Sequence, residues 1–346
     1  RRAERDIFLQ FNYDNGMPVA GRWFAKKLNF SPKISLSGYN VSRKADALLY
    51  AGVDTLSVGV AYDLLSLELA AAFKLINYNH DFKVLYTLSK YASSIDGFVL
   101  PQSGIYVRGS SQDYFRANSI ALEYAYDRSI GNRNMDINPV GRKINVRYEY
   151  ESSRINPELQ VDDNGNVSTI YNDNKLHKVD ATWREAIGLF NSKHTIALKL
   201  RTAVIFGKKV DSFYDFYAAG LPGMRGYPYF SLGGGRLLTA NLTYRFPVFS
   251  KIDTRITPFY LDKLYFSVFG DYGNAWYSSD IDTKSFKKDI GAEIRLQTFS
   301  YYVFPTSIFF SAAYGFDKFS GVFNGTTVTY GKEWQFYFGM LFGFDM

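Results

Sequence analysis

The sequence contains no cysteine, and this absence excludes a disulfide scaffold and any metal site built on thiolates. It also lacks an apolar run of about 18 residues, the length that a membrane-spanning helix requires. The most apolar stretch, residues 56–76, is interrupted by Asp63, Glu68 and Lys74. A helical membrane protein is therefore excluded.

Histidine is also scarce, and the sequence has few signs of catalysis. His80, His177 and His194 are the only three histidines, and none has the spacing of a metal ligand. The chain has no G-x-S-x-G motif, and the triple glycine at 233–235 is not followed by the Gly-Lys-Ser/Thr of a phosphate-binding loop. We therefore predict no catalytic residue, no metal and no cofactor, and we expect that the protein is not an enzyme.

Aromatic residues, by contrast, are abundant. They make up 18% of the 346 residues, yet the mean hydropathy is only −0.18 and 21% of the residues are charged. The net charge of +7 is spread along the chain, so no nucleic-acid partner is expected. A chain of this kind fits either a large soluble β-sandwich or a transmembrane β-barrel, in which aromatic girdles flank an apolar outer band.

The alternation of side chains favours the barrel. In residues 143–151, Ile144, Val146, Tyr148 and Tyr150 alternate with Lys, Asn, Arg and Glu, so one face is apolar and the other polar. Residues 194–206 repeat this pattern. Such rows run over nine to thirteen residues, close to the 9–11 that cross a bilayer and longer than the 5–6 of a typical globular strand. The polar faces also carry several charges, as a water-filled lumen would.

The fold class predicted is all-β, a transmembrane antiparallel barrel of about sixteen strands forming a single domain over residues 1–346. Eight strands are expected at 143–151, 177–187, 194–206, 236–247, 262–273, 287–298, 306–316 and 332–346. Six more are expected at 33–40, 46–55, 62–74, 82–91, 97–108 and 114–127, and two before residue 31. No signal peptide precedes the first apolar segment, so we expect that an N-terminal periplasmic domain is missing from this chain.

The longest connection, residues 207–235, carries an unusual segment. Leu221-Pro222-Gly223-Met224-Arg225-Gly226-Tyr227 combines glycine, proline and one arginine, a composition that can present a cation from a tight turn. Three further segments follow in order: Thr243-Tyr244-Arg245-Phe246-Pro247, then Phe269-Gly270-Asp271-Tyr272-Gly273, then Gly291-Ala292-Glu293-Ile294-Arg295.

This order of segments resembles the superfamily of outer-membrane barrels that includes BamA, TamA and FhaC, also called the bacterial surface antigen family. The resemblance covers residues 140–346. The segment Phe213-Tyr214-Asp215-Phe216-Tyr217 before Leu221 resembles the subgroup fused to a TolB-like propeller. The family resemblance implies that the sixth surface loop folds into the lumen and that its Arg-Gly-Tyr tip docks on the inner wall.

The resemblance and the alternation together define an expected loop lock. Its members are Arg225, Gly226, Tyr227, Phe269, Asp271 and Glu293, with Arg225 paired to Asp271 and stacked on Phe269. Thr243, Arg245, Gly291 and Arg295 are expected to face the lumen. Thr243 and Glu293 depart from the family pattern, which has Glu and Gly there. We hypothesise that Glu293 supplies the missing carboxylate to Arg225. The lumenal carboxylates Glu123, Glu149 and Glu293 are also expected in salt bridges with Arg147, Arg201 and Arg295.

The function implied by the resemblance is assembly or translocation of polypeptides in the outer membrane of a Gram-negative bacterium. The expected partners are the lipid bilayer, client polypeptides and periplasmic or lipoprotein components. The family closes its barrel by pairing the first strand with an aromatic last strand, here the row Phe336, Phe338, Met340, Phe342 and Phe344. Unpaired edges at that seam can template incoming strands. Two alternatives stay open, namely a passive porin-like channel and a membrane anchor for a missing N-terminal domain.

Overall fold

The computed structural model describes residues 5–14, 33–51, 54–74, 79–99, 104, 106–130, 139–155, 159–161, 167–190, 193–207, 211–301, 304–323 and 326–342. The described chain is almost entirely β-structure. Its strands are β1 (Arg5–Asp14), β2 (Lys33–Ala51), β3 (Asp54–Lys74), β4 (His80–Ile95), β5 (Phe98–Val99), β6 (Tyr106–Val107), β7 (Ser110–Ile130), β8 (Val140–Ile155), β9 (Leu159–Val161), β10 (Val167–Thr169), β11 (Asn172–Leu189), β12 (His194–Phe206), β13 (Phe216–Tyr217), β14 (Gly233–Gly234), β15 (Arg236–Phe249), β16 (Thr254–Ile256), β17 (Phe259–Trp276), β18 (Lys287–Ser300), β19 (Phe304–Gly315), β20 (Phe319–Phe323), β21 (Thr326–Tyr330) and β22 (Trp334–Phe342).

Fourteen of these strands form one sheet. Its order is β1-β2-β3-β4-β7-β8-β11-β12-β15-β17-β18-β19-β22, with the short β16 paired to β17. Each strand follows its neighbour in sequence, and the registers between β15, β17, β18 and β19 are antiparallel. The remaining strands form four separate two-stranded sheets in the connections. The all-β antiparallel class expected from the alternation is confirmed.

The strands of the second half agree with the prediction. All eight expected strands after residue 142 are present, as β8, β11, β12, β15, β17, β18, β19 and β22, and most are longer than expected. The apolar–polar alternation locates the part of each strand that has one apolar and one polar face. Backbone pairing continues beyond this part, so the strands are longer than the alternation predicts. Strand ends are therefore the least predictable part.

The first half contains two wrong strand predictions. The expected break between 40 and 46 is absent, because β2 runs without interruption from Lys33 to Ala51 and pairs with β3 along its whole length. The expected strand at 97–108 is replaced by β5 and β6, two residues each, which pair only with each other. Of the two strands expected before residue 31, β1 is present, and the other would lie outside the described residues.

The chain divides into two compact units, one of residues 1–124 and 147–178 and one of residues 125–146 and 179–346. In the first unit, Ala70, Leu85 and Ala121 form a small buried cluster. Neighbouring side chains on the same strands, such as Leu69 and Leu122, are exposed. The salt bridges expected for Glu123 and Glu149 are present, and Glu151 forms a further one. Arg147 pairs with Glu123 and Glu149, and Lys178 pairs with the buried Glu151.

In the second unit, polar and charged side chains are buried and large apolar side chains are exposed, the reverse of the distribution in a soluble protein. The buried side chains of this unit include Asn241, Asp271, Asp289, Glu293 and Gln297, whereas its exposed side chains include large apolar residues on the same strands. The exposed apolar set is Leu242, Val268, Ile290, Ile294, Phe310, Phe336 and Phe338. Soluble proteins bury such residues and expose charges, so the apolar face of this sheet fits contact with lipid.

Helical structure is confined to two 3-10 turns in the described chain, Ser212–Tyr214 and Thr283–Ser285. Across the residues that the structure describes, no helix has the length and apolar character needed to span a membrane.

Candidate functional site

The site is built on the segment of residues 211–235, which joins β12 to β15. Its tip is shaped by a tight turn at 220–223, where the amide of Gly223 donates to the carbonyl oxygen of Gly220 at 3.0 Å. Gly220 has a φ of 91°, a conformation that side chains with a Cβ disfavour. The amide of Met224 then donates to the Ala218 carbonyl at 2.7 Å. The glycine turn expected from the sequence thus places Arg225 directly after a fixed bend.

Apolar burial holds this loop against the sheet of its own unit. Met224 and Tyr227 are both 0% exposed. They belong to one buried cluster with side chains from the loop and from three strands, namely Ala203, Ala218, Ala219, Leu232, Leu237 and Ala275. Burial of two large side chains stabilises the docked loop by roughly 1.5–3 kcal/mol each. The loop tip is therefore part of the packed structure of the unit.

Arg225 is bound to Asp271 by a bidentate ion pair. Its Nε donates to Asp271 Oδ2 at 2.9 Å and its Nη2 donates to Oδ1 at 2.7 Å. The backbone amide of Arg225 adds a third hydrogen bond to Oδ2, at 3.1 Å. The side chain of Asp271 is 0% exposed and that of Arg225 is 13% exposed. Charge-assisted bonds in so dry a setting are strong and directional.

Two further expected neighbours surround the guanidinium. Its Cζ lies 3.3 Å from the ring centroid of Phe269, which is a cation–π contact. Thr243 Oγ1 accepts a long hydrogen bond from Arg225 Nη2, at 3.4 Å. Gly291 faces Phe269 across the β17–β18 pairing, and a Cβ added at Gly291 would come within 2.6 Å of the Phe269 ring. Gly291 therefore leaves the space in which that ring stacks on Arg225.

Tyr227 fastens the tip at a second point. Its hydroxyl donates to the carbonyl of Lys288 at 2.9 Å and accepts from the amide of Asp317 at 3.1 Å. Burial raises the pKa of the Tyr227 hydroxyl to about 12. Tyr337 on β22 donates to the carbonyl oxygens of Arg225, at 2.9 Å, and of Tyr227, at 3.3 Å. The loop tip thus bonds to β17, β18 and β22.

Asp289 and Tyr337 belong to this site, although the sequence reasoning did not select them. Asp289 stands directly opposite Asp271 in the β17–β18 register, and it is 3% exposed. It packs on Gly226, because a Cβ added there would lie 3.0 Å from Asp289 Cγ. The alternation of side chains could have pointed to both residues. It puts Asp289 on the same face of β18 as Gly291 and Glu293, and it puts Tyr337 on the face of β22 opposite the apolar row.

Of the two roles expected for Glu293, the structure shows the salt bridge with Arg295 and no described bond to Arg225. Its carboxylate pairs with Arg295 at 2.8 Å and with Arg245 at 3.8 Å. Glu293 stands opposite Ser267, four residues along β18 from Asp289. The Arg225 guanidinium stacks on Phe269, which faces Gly291, so Glu293 lies two residues further along β18 from the guanidinium. The acidic neighbour of the loop tip is Asp289, and Glu293 instead serves the arginines below it.

The remaining predicted residues lie where the alternation puts them. Arg245 and Arg295 are mostly buried around Glu293, and the Cζ of Arg295 lies 5.6 Å from the Phe309 ring. On β22, Phe336, Phe338 and Met340 are exposed. Phe342 pairs through its backbone with Thr306, whereas its side chain and Phe344 lie outside the described residues. The pairing expected between the first and last strands stays a prediction.

Metal binding has no support in the described part of the chain, where no three acidic or histidine side chains are grouped to hold an ion. Arg225 pairs with Asp271, and Arg245 and Arg295 pair with Glu293. The arrangement can fix a loop and shape a polar interior.

The antiparallel sheet has an apolar exposed face and a charged buried face, and a loop is docked on the buried face. These features are those of a transmembrane β-barrel protein. A family model described as the Omp85 superfamily domain matches residues 31–301. This match spans most of the chain, and the chain therefore belongs to the Omp85 superfamily. The membership confirms the resemblance noted from the loop motif, and it indicates an outer-membrane protein of the Gram-negative type.

The fold is similar to that of a solved structure. The crystal structure of BamA from Haemophilus ducreyi lacking POTRA domains 1-3 is similar with a TM-score of 0.50 at 15% identity, covering 99% of this chain and 70% of that chain. CdiB from Acinetobacter baumannii is similar with a TM-score of 0.34 at 13% identity, covering 97% and 59%. No curated protein sequence matches the chain significantly.

Proposed function

We propose that this chain assists the insertion or translocation of polypeptides in the outer membrane and catalyses no bond-making reaction. The observation that carries the proposal is the loop tip of an Omp85-superfamily chain, fixed by Arg225 on the buried carboxylate of Asp271. A loop held by specific bonds to three strands keeps the polar interior in one arrangement. A client segment can then meet the same surface in every cycle.

The expected partners follow from the two faces of the sheet. The exposed apolar side chains, such as Phe338 at 74% exposure, suit the lipid bilayer. The edge of the last strand suits an incoming client strand, because unpaired backbone groups form hydrogen bonds with added strands. Gly339 on that strand is covered by the Phe309 ring, which would lie 2.6 Å from an added Cβ. Periplasmic or lipoprotein components are further expected partners.

The test is depletion of the full-length protein followed by quantitation of outer-membrane proteins. We expect folded outer-membrane proteins to fall, and we expect wild-type protein to restore them. Arg225→Ala should restore them poorly, whereas Arg201→Ala, which removes an arginine from a half-exposed pair with Asp180, should restore them well.

Unchanged levels after depletion would reject an assembly role. Large, steady conductance in a planar bilayer, equal for wild type and Arg225→Ala, would instead favour the passive channel.

A further inference from the structure

A cavity of about 320 Å³ lies beside the docked loop, inside the second unit. Five of its lining residues are cations, contributed by four strands and the loop tip: Lys143, Arg184, Lys199, Arg225 and Arg245. None of its lining residues is acidic. Threonine and asparagine side chains from the same strands supply further hydrogen-bond donors. The charged side chains of the lining are thus all positive, beside apolar residues such as Pro139, Ala197 and Leu221, and positive charge without an acidic side chain suits an oxyanion.

The positive charge of the cavity is only partly matched. Lys143 pairs with Asp127, Arg225 with Asp271, and Arg245 with Glu293. The last pair is weak, because Glu293 lies closer to Arg295, at 2.8 Å against 3.8 Å.

Arg184 and Lys199 differ from these three. Neither of them has a carboxylate partner in the described part of the chain, and Lys199 Nζ donates instead to the Pro222 carbonyl at 2.7 Å. Arg184 is half-buried and experiences the like charge of Arg295. Two unmatched cations beside one cavity call for a ligand with two negative charges.

We propose that this cavity binds a phosphate group, with Arg184 and Lys199 as its principal ligands. A phosphate monoester carries about −1.5 to −2 charges at pH 7 and three strong acceptor oxygens, so it matches the two cations better than a single carboxylate does. The volume is near the lower end for small-molecule pockets, so a phosphate fits together with several waters or with a small esterified group. The loop tip forms one wall through Leu221, Pro222 and Gly223, so a bound phosphate also supports the docked loop.

The experiment measures phosphate binding by calorimetry, on full-length protein in a phosphate-free, uncharged detergent with ionic strength held constant by chloride. We expect saturable binding of inorganic phosphate. Lys199→Gln and Arg184→Gln should each weaken it by about tenfold, since each removes charge-assisted hydrogen bonds. The matched control is Lys284→Gln, which removes an exposed lysine of the same unit away from the cavity, and should change affinity less than twofold.

A second arm uses the wild type alone and does not depend on whether a variant folds. Phosphate should protect Lys199 from acetylation, as read by mass spectrometry, while Lys284 reacts at an unchanged rate. A third arm replaces phosphate by a short-chain phosphatidic acid. Protection of Lys199 by phosphate identifies a free phosphate as sufficient, and protection by the lipid alone identifies a headgroup. Absence of binding and protection in all arms, or equal weakening by the three variants, would overturn the proposal.

Discussion

Removal of the Arg225 side chain tests how much the ion pair contributes to docking. In Arg225→Ala the carboxylate of Asp271, which is 0% exposed, keeps its buried position without its counter-ion. Breaking a buried pair by removing one partner costs about 3–5 kcal/mol. The equilibrium between docked and undocked loop should therefore shift by roughly two to three and a half orders of magnitude, at about 1.4 kcal/mol per factor of ten.

A double-mutant cycle adds Asp271→Asn to Arg225→Ala, and we expect this second substitution to restore part of the lost docking stability. Asp271→Asn removes the unpaired charge and keeps an oxygen that can accept from the Arg225 backbone amide, which lies 3.1 Å from the carboxylate. The double variant should therefore be more stable than Arg225→Ala alone, because an unpaired buried charge costs more than a missing pair. This non-additivity is the signature of direct coupling.

The chain contains a matched control. Arg201 donates to Asp180 over the same 2.7 Å distance, but these side chains are 25% and 29% exposed. Since solvent screens such pairs, Arg201→Ala should cost only about 0–1 kcal/mol. Both pairs join an arginine to an aspartate through Nε and Nη2, but only the Arg225 pair is largely buried, stacked on Phe269 and part of the loop.

The assay is native-state hydrogen exchange of the peptide that contains residues 218–227, whose amides are bonded within the loop. Exchange through local opening reports the free energy of undocking. Protection should fall by more than about a hundredfold in Arg225→Ala and less than about fivefold in Arg201→Ala. A similar fall in both variants, or no rescue by Asp271→Asn, would refute the reasoning.

Three other predictions concern the loop tip. Gly226→Ala should displace the tip, because the new Cβ meets Asp289, and such overpacking costs about 1–3 kcal/mol; exchange of the loop peptide measures it. Tyr337→Phe should weaken docking by about 0.5–1.5 kcal/mol per lost bond to the carbonyls of Arg225 and Tyr227, in the same assay. The pKa of Tyr227, raised to about 12 by burial, predicts that docking is fully stable below pH 10 and weakens as the pH rises towards 12; Tyr227→Phe should remove that part of the dependence, and an unchanged profile would contradict it.

Alternation along single strands was the most informative property of the sequence. It placed Ile294 on the exposed face and Glu293 on the buried face, because neighbouring residues of a strand point to opposite sides. It did not locate strand ends. A break was expected between residues 40 and 46, whereas β2 continues through this region, since backbone pairing with β3 does not depend on the polarity of side chains.

The register between neighbouring strands could not be predicted from the sequence. The neighbour of Asp271 is Asp289 because β17 and β18 pair in that register, and a shift of four residues would have brought Glu293 there instead. One sequence contains no direct record of register, so the family motif identified Arg225 and Asp271 but did not reveal that Asp289 faces Asp271. The role of Tyr337 was hidden for the same reason, as it depends on where a distant loop docks.

The most direct test of the docked loop uses the absence of cysteine from the chain. Met224→Cys puts a single thiol at a loop position that is 0% exposed, and Phe230→Cys puts one in the same loop at a position that is 70% exposed. With a water-soluble thiol reagent and protein folded in a lipid bilayer, Met224→Cys should react at least about a hundredfold more slowly than Phe230→Cys, since reaction requires local opening. Equal labelling rates at the two positions would show that the loop tip is not docked.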